Sequence, residues 1–193
     1  MLTLERNHSA LLVMDFQTSI IGPLGDAGAK AVEEARALVA QARAEKIPVI
    51  YVVVGFRPGY PELSSRNLAF TVITSSGRFL AAPGTDIVEP LRPAAEDVVV
   101  VKHRVSAFTG TDLDMILRAR GIDTLILAGV ATGGVVLSTL RHAADADYRL
   151  VVAKDACVDR DDEVHRVLTE KLFPRQAAVT SATEICAALA AGS

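Results

Sequence analysis

Five short runs of apolar and β-branched residues recur along the chain, and segments with helix-like spacing of apolar residues separate most of them. The runs are Ala10 to Met14, Val49 to Val54, Asp97 to Val101, Leu125 to Leu127 with Val130, and Arg149 to Ala153, with Ala177 to Thr180 as a short last strand. Strands that are apolar on both faces and alternate with helices are typical of parallel sheets covered on both sides. The pattern predicts an α/β fold with a doubly wound, mostly parallel sheet and helices on both faces.

The predicted helices lie over Ala29 to Lys46, after a cap at Thr111 or Asp112, over Asp161 to Phe173, and over Thr183 to Ala190 with Thr183 as its cap. The third of these should turn Val164, Val167, Leu168 and Leu172 inward. Gly55 to Pro93 is irregular and rich in proline and glycine, which predicts a long surface excursion. Because no repeat or linker interrupts the pattern, we expect residues 1–193 to form one domain.

Composition restricts the classes of partner. The chain has 50% hydrophobic residues, a formal net charge of −3 and no tryptophan. It therefore shows neither the basic surface nor the aromatic platform of a nucleic-acid binder. It also contains no apolar run of membrane-spanning length and no signal-peptide pattern. Its two cysteines, Cys157 and Cys186, form no disulfide framework. We expect a soluble, cytoplasmic protein whose partner is a small molecule, with no nucleic-acid or membrane partner.

Three strand ends carry residues that could support chemistry. Asp15 follows the first strand, Lys102 follows the third, and Gly133 and Gly134 interrupt the chain between the fourth strand and a helix. The carboxyl ends of parallel strands share one edge of the sheet, where open α/β sheets bind ligands. Asp15 could equally cap a turn, and Lys102 could extend its ammonium group to the surface instead of pairing with an acid. The side chain at the first turn of the following helix belongs to Val135, which has no nucleophilic atom.

A dinucleotide-binding turn is a further possibility that the sequence disfavours. Gly22, Gly25 and Gly28 lie between the first strand and a helix. The dinucleotide fingerprint needs its glycines directly after the strand. This strand continues into Asp15 and Phe16 instead. We expect no cofactor.

The sequence motifs at these strand ends resemble those of the isochorismatase-like hydrolases, a superfamily that includes nicotinamidases and other cysteine hydrolases. The resemblance spans Ser9 to Thr180 and rests on the segments VMDFQ, VVVVKHRVSAFTGTDL and LILAGVATGGVVLSTLRHAADADYRLVVAKDAC. It implies that Asp15 is the catalytic acid or base, that Lys102 pairs with it, and that Val135 occupies the position of the nucleophilic cysteine. Ala-Thr-Asn-Gly-Cys of the family reads Ala131-Thr132-Gly133-Gly134-Val135 here.

The resemblance implies further site residues. A non-proline cis peptide is expected at Val130-Ala131, and the backbone of the following turn would form the oxyanion site, with Ala131, Thr132, Gly134 and Val135 as its candidates. The candidates for substrate binding are Gln17, Arg57, Tyr60 and Phe108. Arg57, Tyr60, Arg66 and Arg78 could bind a carboxylate or could simply be solvated surface residues. Because Gly55-Phe56-Arg57-Pro58 replaces the Asp-x-His of the metal-binding members, we expect no metal.

Two functions remain open, together with a minor third. The retained Asp15 and Lys102 favour a cysteine-independent hydrolase that acts on a small, anionic metabolite, like the true isochorismatases, which form no covalent intermediate. Val135 favours a non-catalytic member that keeps the fold for ligand binding or assembly. A hydrolase with a displaced nucleophile is the third alternative, although Cys157, Cys186, Ser138 and Thr139 have the sequence context of packing residues. The family commonly forms dimers or tetramers, so we expect a homodimer or homotetramer.

Overall fold

The computed structural model describes residues 2–80 and 86–192, apart from the side chain of residue 74. Its centre is a six-stranded sheet in the order β3-β2-β1-β4-β5-β6. The strands are β1 Ser9–Met14, β2 Val49–Val54, β3 Val98–Lys102, β4 Thr124–Val130, β5 Arg149–Val158 and β6 Ala178–Thr180. Every pair of neighbouring strands is parallel. The predicted doubly wound α/β fold is confirmed.

Seven α-helices connect or flank the strands in the described residues. They are α1 Thr18–Ile21, α2 Gly25–Ala44, α3 Leu68–Ser76, α4 Leu113–Ala119, α5 Leu137–Asp145, α6 Asp162–Val167 and α7 Ala182–Ala191. Side chains alternate along a strand. Leu11 and Val13 of β1 therefore face one core with α2 and α7, whereas Leu12 and Met14 face the other with α4 and α5. The sheet thus buries both of its faces.

Three local predictions need correction. The predicted helix Asp161 to Phe173 is only partly α-helical, because α6 gives way after Val167 to a wider turn over Leu168–Leu172. Val164 is 38% exposed and does not point inward as predicted. Helix α7 is capped by Ser181, not Thr183, since the Ser181 hydroxyl accepts the N–H of Glu184 at 3.2 Å. The Glu184 side chain reaches back to the same turn, which makes the cap a reciprocal one.

The long excursion after β2 contains more structure than its composition predicts. Helix α3 lies within it, and Phe70 of this helix packs with Val54 and Phe56 in a small separate core. The segment beyond residues 81–85, which lie outside the described part, returns to the sheet edge, where Ile87 forms an antiparallel bridge with Gln17. The excursion thus passes close to the end of β1, the strand that carries Asp15.

Candidate active site

The end of β1 fixes Asp15 in an uncommon backbone conformation. Its φ angle is +61°. This is the left-handed region, which aspartate and asparagine adopt more readily than most residues. The N–H of Asp15 donates to Val52 O at 2.8 Å, which ties the residue to the neighbouring strand. Two residues on, the Gln17 amide donates to Val54 O at 3.0 Å and accepts from Val54 N at 2.7 Å, so both ends of this turn are anchored to β2.

Lys102, the last residue of β3, reaches Asp15 across the end of β2. Its Nζ lies 2.9 Å from Asp15 Oδ2, and the side chains are only 2% and 7% exposed. The ammonium group also donates to Arg104 O at 3.1 Å. The predicted salt-bridge contact between these two residues is confirmed, and the alternative in which Lys102 extends to the surface is wrong. The expected cleft around the pair remains a prediction, since neither residue lines the clefts described below.

The electrostatics of Asp15 are set by two opposing influences. Burial raises the pKa of this carboxyl group above its ordinary value, the charge and hydrogen bond of Lys102 act against that rise, and the nearby charge of Asp86 adds to it. The second carboxyl oxygen, Oδ1, is buried without a hydrogen-bond partner among the described residues. Asp15 therefore combines an oriented oxygen, held by Lys102, with an uncommitted oxygen that can carry a proton.

The chain after β4 forms a wide turn over Thr132–Val136, and α5 begins only at Leu137. The expected cis peptide is present at Val130-Ala131. Ala131 O accepts the N–H of Gly134 at 3.0 Å and that of Val136 at 3.3 Å, so Gly134 uses its N–H inside the turn. The oxyanion role of the turn backbone remains a prediction.

Val135 lies in this turn and not in the first turn of a regular helix, where the sequence pattern placed it. It is 2% exposed and packs in the same core as Leu12 and Met14 of β1. Its side chain is thus part of the apolar packing on one face of the sheet.

The four candidates for substrate binding have partners within the chain. The Gln17 amide also donates to Asp86 Oδ2 at 2.6 Å, and Arg57 forms an ion pair with Glu62 at 2.6 Å. The Tyr60 hydroxyl donates to Arg78 O at 3.0 Å, whereas Phe108 is buried and stacks on His142 with ring centroids 4.7 Å apart. Their role towards a substrate remains a prediction, and these contacts give each a structural role.

A small cleft of about 150 Å³ lies beside the cis peptide. It is lined by Ile20, Leu24, Arg78, Val130, Ala131, Asp159 and Arg160. The sequence pattern identifies Arg78 as a possible carboxylate ligand. It does not identify Asp159 and Arg160, which follow β5 directly, as residues of a cleft. The position of this pair after a strand end was the available signal. A larger cleft of about 670 Å³ at Arg6, Lys46 and Arg120 contains none of the candidate residues.

Neither cysteine provides a ready thiolate. Cys157 lies within β5, closer to the sheet than its predicted position after the strand, and burial raises its pKa to about 12. Burial also raises the pKa of Cys186, which lies in α7. Thr139, predicted to have a packing or backbone-bonding role, accepts the N–H of Ala107 at 3.0 Å.

The described residues contain no group of three or more His, Cys, Asp or Glu side chains arranged to hold a metal ion. Within the same part of the chain, none of the helices has the length and apolar character needed to cross a membrane.

Comparisons with known proteins identify the family to which this fold belongs. The model of the isochorismatase domain matches residues 9–184. The isochorismatase family protein YecD of Escherichia coli O157:H7 is 35% identical over 98% of this chain and 100% of its own. The ureidoacrylate amidohydrolase RutB of Acinetobacter baylyi is 36% identical over 84% of this chain and 76% of its own. A cysteine hydrolase structure from Pseudomonas syringae pv. phaseolicola superposes with a TM-score of 0.89 at 25% identity, covering 99% of this chain and 96% of that one.

The parallel sheet and the extent of these matches show that the chain has the isochorismatase-like hydrolase fold. The chain belongs to the isochorismatase family of hydrolases.

Replacing Lys102 with Met tests the buried pair. Removing one partner of a buried ion pair costs roughly 3–5 kcal/mol, so Lys102→Met should lower the free energy of unfolding by about that amount at pH 8. Lys102 lowers the pKa of Asp15, so its removal raises that pKa further above the unfolded value. The variant therefore gains more stability than wild type when Asp15 takes up a proton, and this gain is lost as pH rises through the variant's folded pKa. The deficit should therefore be smaller at pH 5, as measured by urea unfolding at both values.

The matched control is the double variant Asp15→Asn with Lys102→Met, which removes both charges and keeps a residue that tolerates the left-handed backbone. At pH 8 its deficit should be smaller than that of Lys102→Met, and its free energy of unfolding should lack the pH-dependent contribution of Asp15. Equal deficits for Lys102→Met at pH 5 and pH 8 would show that the two residues are not coupled as the geometry indicates.

Proposed function

We propose that the protein is a cysteine-independent hydrolase of a small, anionic metabolite, with Asp15 as general acid and Lys102 as the residue that orients it. The observation that carries this proposal is the buried Asp15–Lys102 pair, in which one Asp15 oxygen is held at 2.9 Å and the other has no partner among the described residues. A raised pKa favours a protonated carboxyl group, which is the form that a general acid requires.

The proposed reaction needs no covalent intermediate. Asp15 transfers the proton on its free oxygen to the enol carbon of a vinyl ether, and the resulting cation adds water. The hydrated product loses a proton to the Asp15 carboxylate and separates into an alcohol and a carbonyl compound, which restores the acid. Lys102 limits the conformations of Asp15 and stabilises its carboxylate when the proton has left.

Val135 separates this chain from the thiol chemistry of the family. A thiolate attack on an amide needs a sulfur atom at the turn, and Val135 offers a buried aliphatic side chain there. The name of RutB denotes an amidohydrolase. By its residues, the present chain is better suited to acid-catalysed hydrolysis than to amide cleavage through a thioester.

The anionic character of the substrate is supported by the cleft beside Val130 and Ala131. Arg78 and Arg160 both line it, and Asp159 supplies its one acidic residue. Arg78 donates to Ser19 O at 3.0 Å, which holds its guanidinium in place. Two guanidinium groups at the rim of a small cleft suit a carboxylate-bearing ligand, since arginine binds carboxylates through paired donors.

The second candidate function is non-catalytic ligand binding or assembly. It is favoured by Val135, which replaces the nucleophile and is packed in the core. Under this alternative the Asp15–Lys102 pair would persist as a structural ion pair, and the cleft would bind a ligand without turnover.

The central test compares wild type with Asp15→Asn on isochorismate, simple vinyl ethers, nicotinamide and small carbamoyl compounds. Asparagine tolerates the left-handed backbone, so the variant should fold. Loss of a general acid typically costs ~10² to 10⁴ in rate, and we expect this loss on the vinyl ether that wild type hydrolyses. Alkylation of Cys157 and Cys186 should leave the wild-type rate nearly intact.

Undiminished turnover by Asp15→Asn, or inactivation of wild type by alkylation, would contradict acid catalysis. If wild type hydrolyses none of the compounds in the panel, the non-catalytic function is favoured.

Substitution of Arg160 tests the anionic substrate. Arg160→Gln should raise KM for the anionic compound by about tenfold, the effect of losing ~1.4 kcal/mol of binding, and leave KM for its neutral methyl ester unchanged. Arg175→Gln is the matched control, because Arg175 is also exposed and lies outside the lining of this cleft. Equal changes of KM for acid and ester would show that Arg160 does not recognise the charge.

We also propose that the protein is a homodimer or homotetramer. Helix α3 contains no charged residue, and Leu68 and Val72, one turn apart, are 83% and 70% exposed. An apolar helix face of this kind is commonly covered by a partner.

Light scattering at micromolar concentration should give a mass at least twice the 20.4 kDa of one chain. Leu68→Glu with Val72→Glu should reduce it, because a charged face disfavours burial. The control is Met115→Glu, which alters an exposed apolar residue of α4. A monomeric wild type would refute the assembly.

A further inference from the structure

The wide turn Thr132–Val136 is held from one side by the chain that follows β5. Asp159 Oδ2 accepts the N–H of Gly133 at 2.7 Å. In addition, Nδ1 of His165 in α6 lies 2.8 Å from the Thr132 hydroxyl oxygen. Two consecutive residues of the turn are therefore bound to one short segment of chain.

Gly133 is what lets this segment approach so closely. A Cβ atom at position 133 would lie 3.1 Å from Val164 Cγ1 and 3.2 Å from Asp159 Oδ2. Both distances are tighter than an ordinary van der Waals contact, even though Gly133 itself lies at the surface. The Asp159 carboxylate thus occupies space that a side chain at 133 would need. Where the family pattern has asparagine, this chain has Gly133, and Asp159 and His165 bond to the turn from outside it.

Thr132 depends on His165 for its only side-chain hydrogen bond in the described part of the chain. The residue is fully buried. A buried hydroxyl without a partner costs more than the hydrogen bond itself contributes. Thr132 follows Ala131, whose carbonyl accepts two N–H groups of the same turn. A displacement of Thr132 would therefore shift the backbone of the candidate oxyanion turn.

We propose that His165, through Thr132, is a positioning residue for the candidate oxyanion turn, with Asp159 as the second anchor. The catalytic consequence rests on the proposed function, whereas the structural consequence does not. Burial lowers the pKa of His165, and the charges of Asp159 and Asp162 oppose this effect. The imidazole is therefore neutral near pH 7 and can accept the hydrogen bond from Thr132.

Thr132 and His165 could instead act as a nucleophile and its general base, since the hydroxyl lies within hydrogen-bond distance of the imidazole and two carboxylates are nearby. The burial of Thr132 favours positioning. Its side chain has no exposed surface, so its hydroxyl could not contact a substrate without a rearrangement of the turn.

The experiment uses four variants of the full chain: Thr132→Val, Thr132→Ser, His165→Leu and His165→Asn. Serine restores the hydroxyl, and asparagine places a polar atom near the position of Nδ1 without supplying a base. Hydrogen exchange of the segment 130–137 should accelerate about five- to tenfold in Thr132→Val and His165→Leu, which is the effect of one lost hydrogen bond. Serine and asparagine should restore most of the protection.

On the substrate found by the panel, Thr132→Val and His165→Leu should lower kcat by about tenfold and change KM less than about twofold, because positioning acts on the transition state. Thr169→Val is the matched control. The Thr169 hydroxyl donates to His165 O at 2.8 Å, so the variant loses one buried side-chain hydrogen bond of the same kind and keeps the side chains of His165 and Asp159 that bond to the turn.

Unchanged exchange in both Thr132→Val and His165→Leu would overturn the proposal, and so would equal acceleration in Thr169→Val. If His165→Asn protects the turn and still loses activity as fully as His165→Leu, the imidazole acts as a base and the positioning role is wrong. A wild type without activity would refute the proposed function alone, since the exchange comparison still decides the role of His165.

Discussion

The candidate site depends on one interaction, the buried contact between Asp15 and Lys102. Strand order creates it, because β1 and β3 flank β2 and end at the same edge of the sheet. The two side chains are 2% and 7% exposed. A pair so deeply buried has lost its hydration, so each charge relies on the other and on the remaining hydrogen bonds. The left-handed backbone at Asp15 keeps the carboxyl group at this edge, and the Gln17 amide, which bonds to Val54, anchors the same turn. The position of the Asp15 carboxyl group thus follows from the strand order.

Val135 and Gly133 shape the surroundings of the turn Thr132–Val136. Valine completes the core on one face of the sheet, while Gly133 opens the other side of the turn to Asp159. The turn keeps its internal hydrogen bonds to Ala131 O and gains support from the chain after β5 and from α6. The turn is therefore held both by its own backbone and by two side chains from outside it.

Most of the fold could be predicted from the sequence, because strands buried on both faces give continuous apolar runs that local patterns reveal. The Asp15–Lys102 contact could also be predicted, since each residue directly follows or ends such a run. The remaining features depend on tertiary contacts, which local sequence patterns do not reveal. Strand β5 continues through polar Lys154 and Asp155. The bonds of Asp159 and His165 to the turn join residues 26 and 33 positions apart, with no periodic signal in the sequence.

The most direct test of the account is the titration of Asp15 itself. The side-chain carboxyl carbon can be followed by ¹³C NMR and assigned by its absence in Asp15→Asn. We expect a pKa above the ordinary value of 3.8, because burial outweighs the charge of Lys102. A pKa at or below 3.8 would mean that Lys102 dominates, that Asp15 is a permanent carboxylate near neutral pH, and that it cannot be the general acid.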